Sequence, residues 1–116
     1  MNEETNERVD EAIFAFSLGN DQEAEEKLKI IVSEAGVDKH HAYRALAEVS
    51  LSLGKMEQAE ECCRKALELY PEDLTSVVSL ARILVKKGDK EGAESASAKA
   101  RLLGWKEELA EDETNM

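Results

Sequence analysis

Proline occurs once in this chain of 116 residues and glycine six times, too few for a loop-rich or disordered polypeptide. Cysteine occurs twice, at the adjacent positions Cys62 and Cys63, so the pair cannot staple distant elements. No apolar run approaches the ~20 residues that span a bilayer, and no basic-then-apolar N-terminal stretch reads as an export signal. With nothing to send it outward, the chain is expected in a reducing cytoplasm. Positive charge is scarce: 15 Lys and Arg stand against 26 Asp and Glu, for a formal net charge of −11. A nucleic acid or an anionic membrane needs a basic footprint, so neither is expected as the main partner. No nucleophile–base constellation and no Gly-rich phosphate loop is present, and neither catalysis nor a cofactor is expected. His40 and His41 are neighbours, and successive residues on a helix point about 100° apart. They make a poor chelating pair, as do Cys62 and Cys63 for the same reason, and no metal site is expected. A solvated helix start is the expectation for the histidines. Of the cysteines, Cys63 is expected in the core and Cys62 nearer solvent.

What the chain does have is 42% hydrophobic residues interleaved with 35% charged ones. A small alphabet recurs within that mixture. Ala12, Gly19 and Ala24 are followed by Ala47, Gly54 and Ala59, and then by Ala81, Gly88 and Ala93. The set recurs after 35 and then after 34 residues, the period of a helical-hairpin solenoid. Six segments carry apolar residues at helical spacing, near 5–18, 21–34, 39–53, 56–69, 73–87 and 90–103. Gly19, Gly54 and Gly88 stand where paired helices turn. Asn20 and Asp89 follow as N-caps, and Glu23 completes a capping-box pattern with Asn20. Pro71 stops the fourth helix, and Gly104 is placed to end the sixth. The short links force each pair to lie antiparallel, with alanines where the helices cross: Ala12 on Ala24, Ala47 on Ala59, and Ala81 on Ala93. The expected fold is all-α, a solenoid of three antiparallel hairpins. The domain spans 1–104, with repeats near 5–38, 39–73 and 74–104. Residues 105–116 are expected as an end cap and a partly disordered acidic tail.

Charge is distributed unevenly over this frame. Residues 1–34 carry a net −7, residues 35–73 a net −3, residues 74–104 a net +3 and residues 105–116 a net −4. The third unit is a basic block in an acidic protein.

The middle unit reads Tyr43, Leu46-Ala47, Ser50, Gly54, Ala59, Cys63, Ala66-Leu67 and Pro71. This resembles a tetratricopeptide (TPR) repeat. The third unit matches at Leu80-Ala81, Gly88, Ala93 and Ala100, and the first at Ala12, Gly19, Ala24 and Leu28. Ser50 and Cys63 stand where the family often has large aromatics, Arg8 and Val77 replace the opening aromatic of the outer units, and Trp105 replaces a closing proline.

The resemblance implies a right-handed superhelix whose concave face is lined by the first helix of each pair and binds a peptide or helix. The residues it places there are Val9, Ile13 and Phe16, then His41, Arg44, Glu48 and Leu51, then Val78, Arg82, Val85 and Lys86. An apolar strip with cations toward its end fits a protein or peptide ligand with apolar anchors and acidic residues. One subclass of the family clamps a C-terminal carboxylate with Lys and Asn. The matching positions are Val9, Ile13, Ala45, Thr75 and Ser79, so that clamp is not implied. The function expected is a non-catalytic interaction module or adaptor. The alternatives are a small client-holding chaperone, like those of bacterial secretion, and a homo-oligomeric scaffold. Trp105 is expected to cover the open end of the last pair, or else to mediate self-association there. The acidic run Glu107, Glu108, Glu111, Asp112 and Glu113 is a candidate internal competitor for Arg82 and Lys86.

Overall fold

The structure, a computed structural model, describes residues 2–114. Six helices follow one another: α1 (Asn2–Ser17), α2 (Asp21–Ser33), α3 (His40–Ser52), α4 (Met56–Leu69), α5 (Leu74–Lys87) and α6 (Lys90–Thr114). They form three hairpins, α1/α2, α3/α4 and α5/α6, and consecutive hairpins stack through α2 on α3 and α4 on α5. The first helices also form a row of their own, α1 beside α3 beside α5. α6 packs chiefly on α5.

The hairpin turns share one design. Gly88 has φ 82°, a left-handed conformation that costs glycine nothing and a side chain about 1 kcal/mol or more. Its N–H donates to the Val85 carbonyl and that of Asp89 to the Leu84 carbonyl. These bonds satisfy carbonyls that the helix end leaves unpaired. The same pair of bonds closes α1 after Gly19 and α3 after Gly54.

The alanines lie where the hairpins close. Ala12, Ala24, Ala47 and Ala59 are all within 1% of full burial, in a core with Val9, Leu28, Ile31, Val49 and Ile83. The third hairpin departs from this pattern. Ala93 joins the main core, but Ala81 is only half-buried and packs in a smaller cluster around Val77, Ala96 and Leu103.

Caps divide the same way. Asp89 accepts from the Gly92 N–H at 3.0 Å, as an N-cap should. Asn20 holds the N-cap position of α2, yet its side chain makes no capping bond. Pro71 lies in the turn between α4 and α5, where the Asp73 N–H donates to the Tyr70 carbonyl.

α6 does not stop at Gly104 but continues to Thr114, so residues 105–114 prolong it where a cap and tail were expected. Helix formers on both sides carry the chain through a glycine that no turn geometry demands. The last two positions of that tail, 115 and 116, lie outside the described residues. Trp105, on this prolonged helix, is 59% exposed.

Candidate functional site

α1, α3 and α5 meet around a hollow of about 220 Å³ lined by Ile13, Phe16, His41, Arg44, Ala45, Glu48, Val49 and Thr75. Five of these are groove residues that the sequence predicts: Ile13, Phe16, His41, Arg44 and Glu48. Helical spacing explains why they converge. Ile13 and Phe16 lie one turn apart on α1, and His41, Arg44 and Glu48 fall at three- and four-residue steps on α3. The floor is apolar, from Phe16, Ala45 and Val49. The rim is polar and carries both signs.

The remaining groove candidates lie elsewhere. Val9 is fully buried in the main core and cannot meet a ligand. It points inward because α1 turns its Val9–Ala12 edge into that core. Leu51 is half-buried and packs on the same core. Val78 is 43% exposed on α5 outside the hollow, and Lys86 is exposed with no ion-pair partner among the described residues. Val85 opens onto a different groove, between α5 and α6.

Unlike Lys86, the cations Arg44 and Arg82 are already paired. Arg82 donates to Glu48, which also accepts from the buried Ser79 hydroxyl at 2.5 Å. Arg44 lies 3.4 Å from Asp73. Asp73 further accepts from the Ser76 hydroxyl at 2.5 Å and lies 3.0 Å from His40 Nε2. Burial alone would raise the Asp73 carboxyl. The Ser76 hydrogen bond, Arg44 and His40 outweigh it and hold the group below the usual carboxylate range.

His40 is therefore not a solvated helix start. Its side chain is 16% exposed, and its ring lies 4.3 Å from that of Tyr70 at a tilt of 57°. His41, on the rim, faces Asp10 of α1 at 3.7 Å.

Sequence reasoning also misses a second polar network. Glu25 of α2 is buried, and both its oxygens accept from Lys55, at 2.9 and 2.8 Å. Gln58 donates to the same carboxylate and to the fully buried Ser50 hydroxyl. Ser50 occupies a position where a large aromatic is common, and this bond is what makes a hydroxyl tolerable there. The Lys55 and Gln58 bonds hold the Glu25 carboxyl low. Arg8, likewise in place of an aromatic, grips Glu34 with two bonds of 2.7 and 2.8 Å, tying α1 to the end of α2.

Both cysteines are buried, Cys62 at 6% exposure against the expectation that it would lie nearer solvent. Burial pushes its thiol up to about 11 and that of Cys63 to about 12. Such thiols are poor nucleophiles and poor metal ligands at neutral pH. The acidic run on distal α6 makes no ion pair with Arg82 or Lys86 among the described residues, which do not include the Glu113 side chain. Lys106, in the same segment, reaches instead to Glu72 in the turn between α4 and α5.

Residues 41–73 match the tetratricopeptide repeat family. The chain has the TPR fold, with a TPR repeat in its middle hairpin. No curated protein matches it in sequence. Among solved structures, PcrH from Pseudomonas aeruginosa is similar at a TM-score of 0.80 and 19% identity, over 89% of this chain and 77% of PcrH. PcrH in complex with the chaperone binding region of PopB gives 0.81 and 19%, over 89% of this chain and 82% of that one. The second TPR of Spaghetti (RPAP3), bound to the HSP90 peptide SRMEEVD, gives 0.79 and 19%, over 85% and 91%. Among the described residues, no helix is long and apolar enough to cross a membrane.

Proposed function

We propose that this TPR chain is a protein-interaction module that captures a segment of a partner protein on the row of first helices, α1, α3 and α5. The observation that carries the reading is the hollow between them, with an apolar floor large enough for one anchoring side chain and a polar rim of His41, Arg44 and Glu48. PcrH with its PopB region and the RPAP3 repeat with its HSP90 peptide support segment capture as a use of the fold.

An acidic C-terminal tail is not the ligand this rim favours. The positions matched to a carboxylate clamp are Val9, Ile13, Ala45, Thr75 and Ser79, and Arg44 and Arg82 are already engaged by Asp73 and Glu48. The favoured ligand is a segment with an apolar anchor and neutral polar flanks. A client-holding chaperone is the same binding event with a different consequence, supported by the likeness to PcrH in complex with the chaperone binding region of PopB. A chaperone keeps an aggregation-prone client soluble in stoichiometric mixture, whereas an adaptor leaves partner solubility unchanged.

Selection of displayed random peptides on the wild-type chain tests the reading. Enriched peptides are expected to share an apolar anchor and to lose about tenfold or more in affinity for Ile13→Asp, a half-open position whose change leaves the core intact. Enriched peptides that bind Ile13→Asp and Arg44→Glu as well as wild type would place the site elsewhere.

A further inference from the structure

Glu25, Glu60 and Glu94 occupy the same place in the three units, 35 and then 34 residues apart. In the first two units this carboxylate does the same thing. Glu25 of α2 takes Lys55, from the turn that ends α3. Glu60 of α4 takes Lys87, the last residue of α5, at 2.6 Å. In each case a helix lies in the groove of the preceding hairpin and is fastened at its C-terminal end by a lysine. Glu94 of α6 is exposed and has no such partner among the described residues.

The groove beside Glu94 is open in the same sense. Phe16 and Leu51 are half-buried beneath the next hairpin, whereas their counterpart Val85 is 66% exposed. Leu28 and Cys63 are sealed, whereas their counterpart Ser97 is not. Val85, Ala93, Glu94, Ser97 and Arg101 line a groove of about 500 Å³ between α5 and α6.

We propose that this end groove docks an amphipathic helix of a partner protein, with small and β-branched residues on its contact face and a Lys or Arg at its C-terminal end to engage Glu94. The inner occupants define that chemistry. α3 presents Ala42, Ala45 and Val49 to the first hairpin, and α5 presents Ser76, Ser79 and Ile83 to the second, all buried. A second copy of this chain does not fit. Its α1 carries Glu7, Asp10 and Phe14 at the corresponding positions, all exposed, and Leu18, Gly19 and Asn20 follow where a lysine is required.

The probe is a stapled helical peptide with the sequence of residues 73–88, the occupant of the inner groove, titrated against the full chain. It is expected to bind wild type. Glu94→Lys should weaken it about tenfold, and a peptide carrying Lys87→Glu should recover affinity for Glu94→Lys. Val85→Asp, at an exposed position that folding tolerates, should remove binding. Ile13→Asp should leave it unchanged, which separates this site from the α1/α3/α5 hollow. Absence of binding would overturn the proposal. So would binding sensitive to Glu60→Lys but not to Glu94→Lys, since the peptide would then be replacing α5. Light scattering that shows an oligomer dissolved by Val85→Asp would assign the groove to a second copy and overturn the partner assignment.

Discussion

Gly92 looks like a flaw when read alone, a helix-breaking residue in the first turn of α6. Its neighbour explains it. A Cβ at position 92 would run into Asp89 Oδ2, on the carboxylate that caps the helix through the Gly92 N–H. The glycine makes room for the cap. Gly92→Ala should therefore gain helix propensity of about 1 kcal/mol and forfeit much of it by displacing Asp89. Urea unfolding is expected to show Gly92→Ala close to neutral and Asp89→Ala destabilised by about 1 kcal/mol. In the Asp89→Ala background, Gly92→Ala should become clearly stabilising, because nothing is left to displace. Other residues are legible in the sequence for local reasons only. Gly19, Gly54 and Gly88 announce turns because φ is a property of one residue and its neighbours. Asp73 and Glu25 do not announce their long-range partners, because His40 and Lys55 are 33 and 30 positions away. A charged residue on a repeat reads as solvent-facing until the adjoining hairpin is in place.

Helices inherit this asymmetry. The ends of α2 to α5 are readable within one or two residues, since periodicity and glycine turns act locally. The distal half of α6 is not, because Gly104 carries a stop signal that the surrounding Leu, Lys and Glu override. The helix is also the least supported. It packs chiefly on α5, and Leu102, Trp105 and Leu109 on its far half are about 60% exposed. α4 lies between α3 and α5. Local opening follows such differences in coverage. Amide exchange is expected to be fastest in 104–114, intermediate in 90–103, and slowest in α3 and α4. Protection in α6 equal to that in α4 would contradict the packing order. The groove residues divide by the same logic. Ile13, Phe16, His41, Arg44 and Glu48 share a face that helical spacing predicts. Val9 and Val85 fall outside it, because spacing alone does not say which neighbour a face meets.

At the scale of the whole molecule, depressed carboxylates set the response to acid. The Lys55 and Gln58 bonds lower Glu25. Burial pushes Asp73 upward, and Ser76, Arg44 and His40 together bring it below its ordinary value. A group with a folded pKa below its unfolded value binds fewer protons when folded. Its contribution is complete above the unfolded carboxylate range of about 4, and is lost as pH falls through the folded value. Repulsion within a chain of net charge −11 works the other way, since acid relieves it. The pairs that join hairpins are part-buried and weakly screened, so their loss should win below pH of about 4. Thermal melts are expected to show a plateau near neutrality and a fall in midpoint below that range. Asp73→Asn should melt lower at neutral pH and show a shallower fall, with the two curves converging in acid. Parallel curves would remove Asp73 from the account.

Asp73 has one more consequence. It gathers His40 and Arg44 from one hairpin and Ser76 from the next around a single carboxylate, so one anion pins the seam between those hairpins at the start of α5, while Glu48 and Glu60 pin the rest through Arg82 and Lys87. Exchanging that one side chain would loosen the seam at the start of α5 and leave its far end, and the core the two hairpins share, in place.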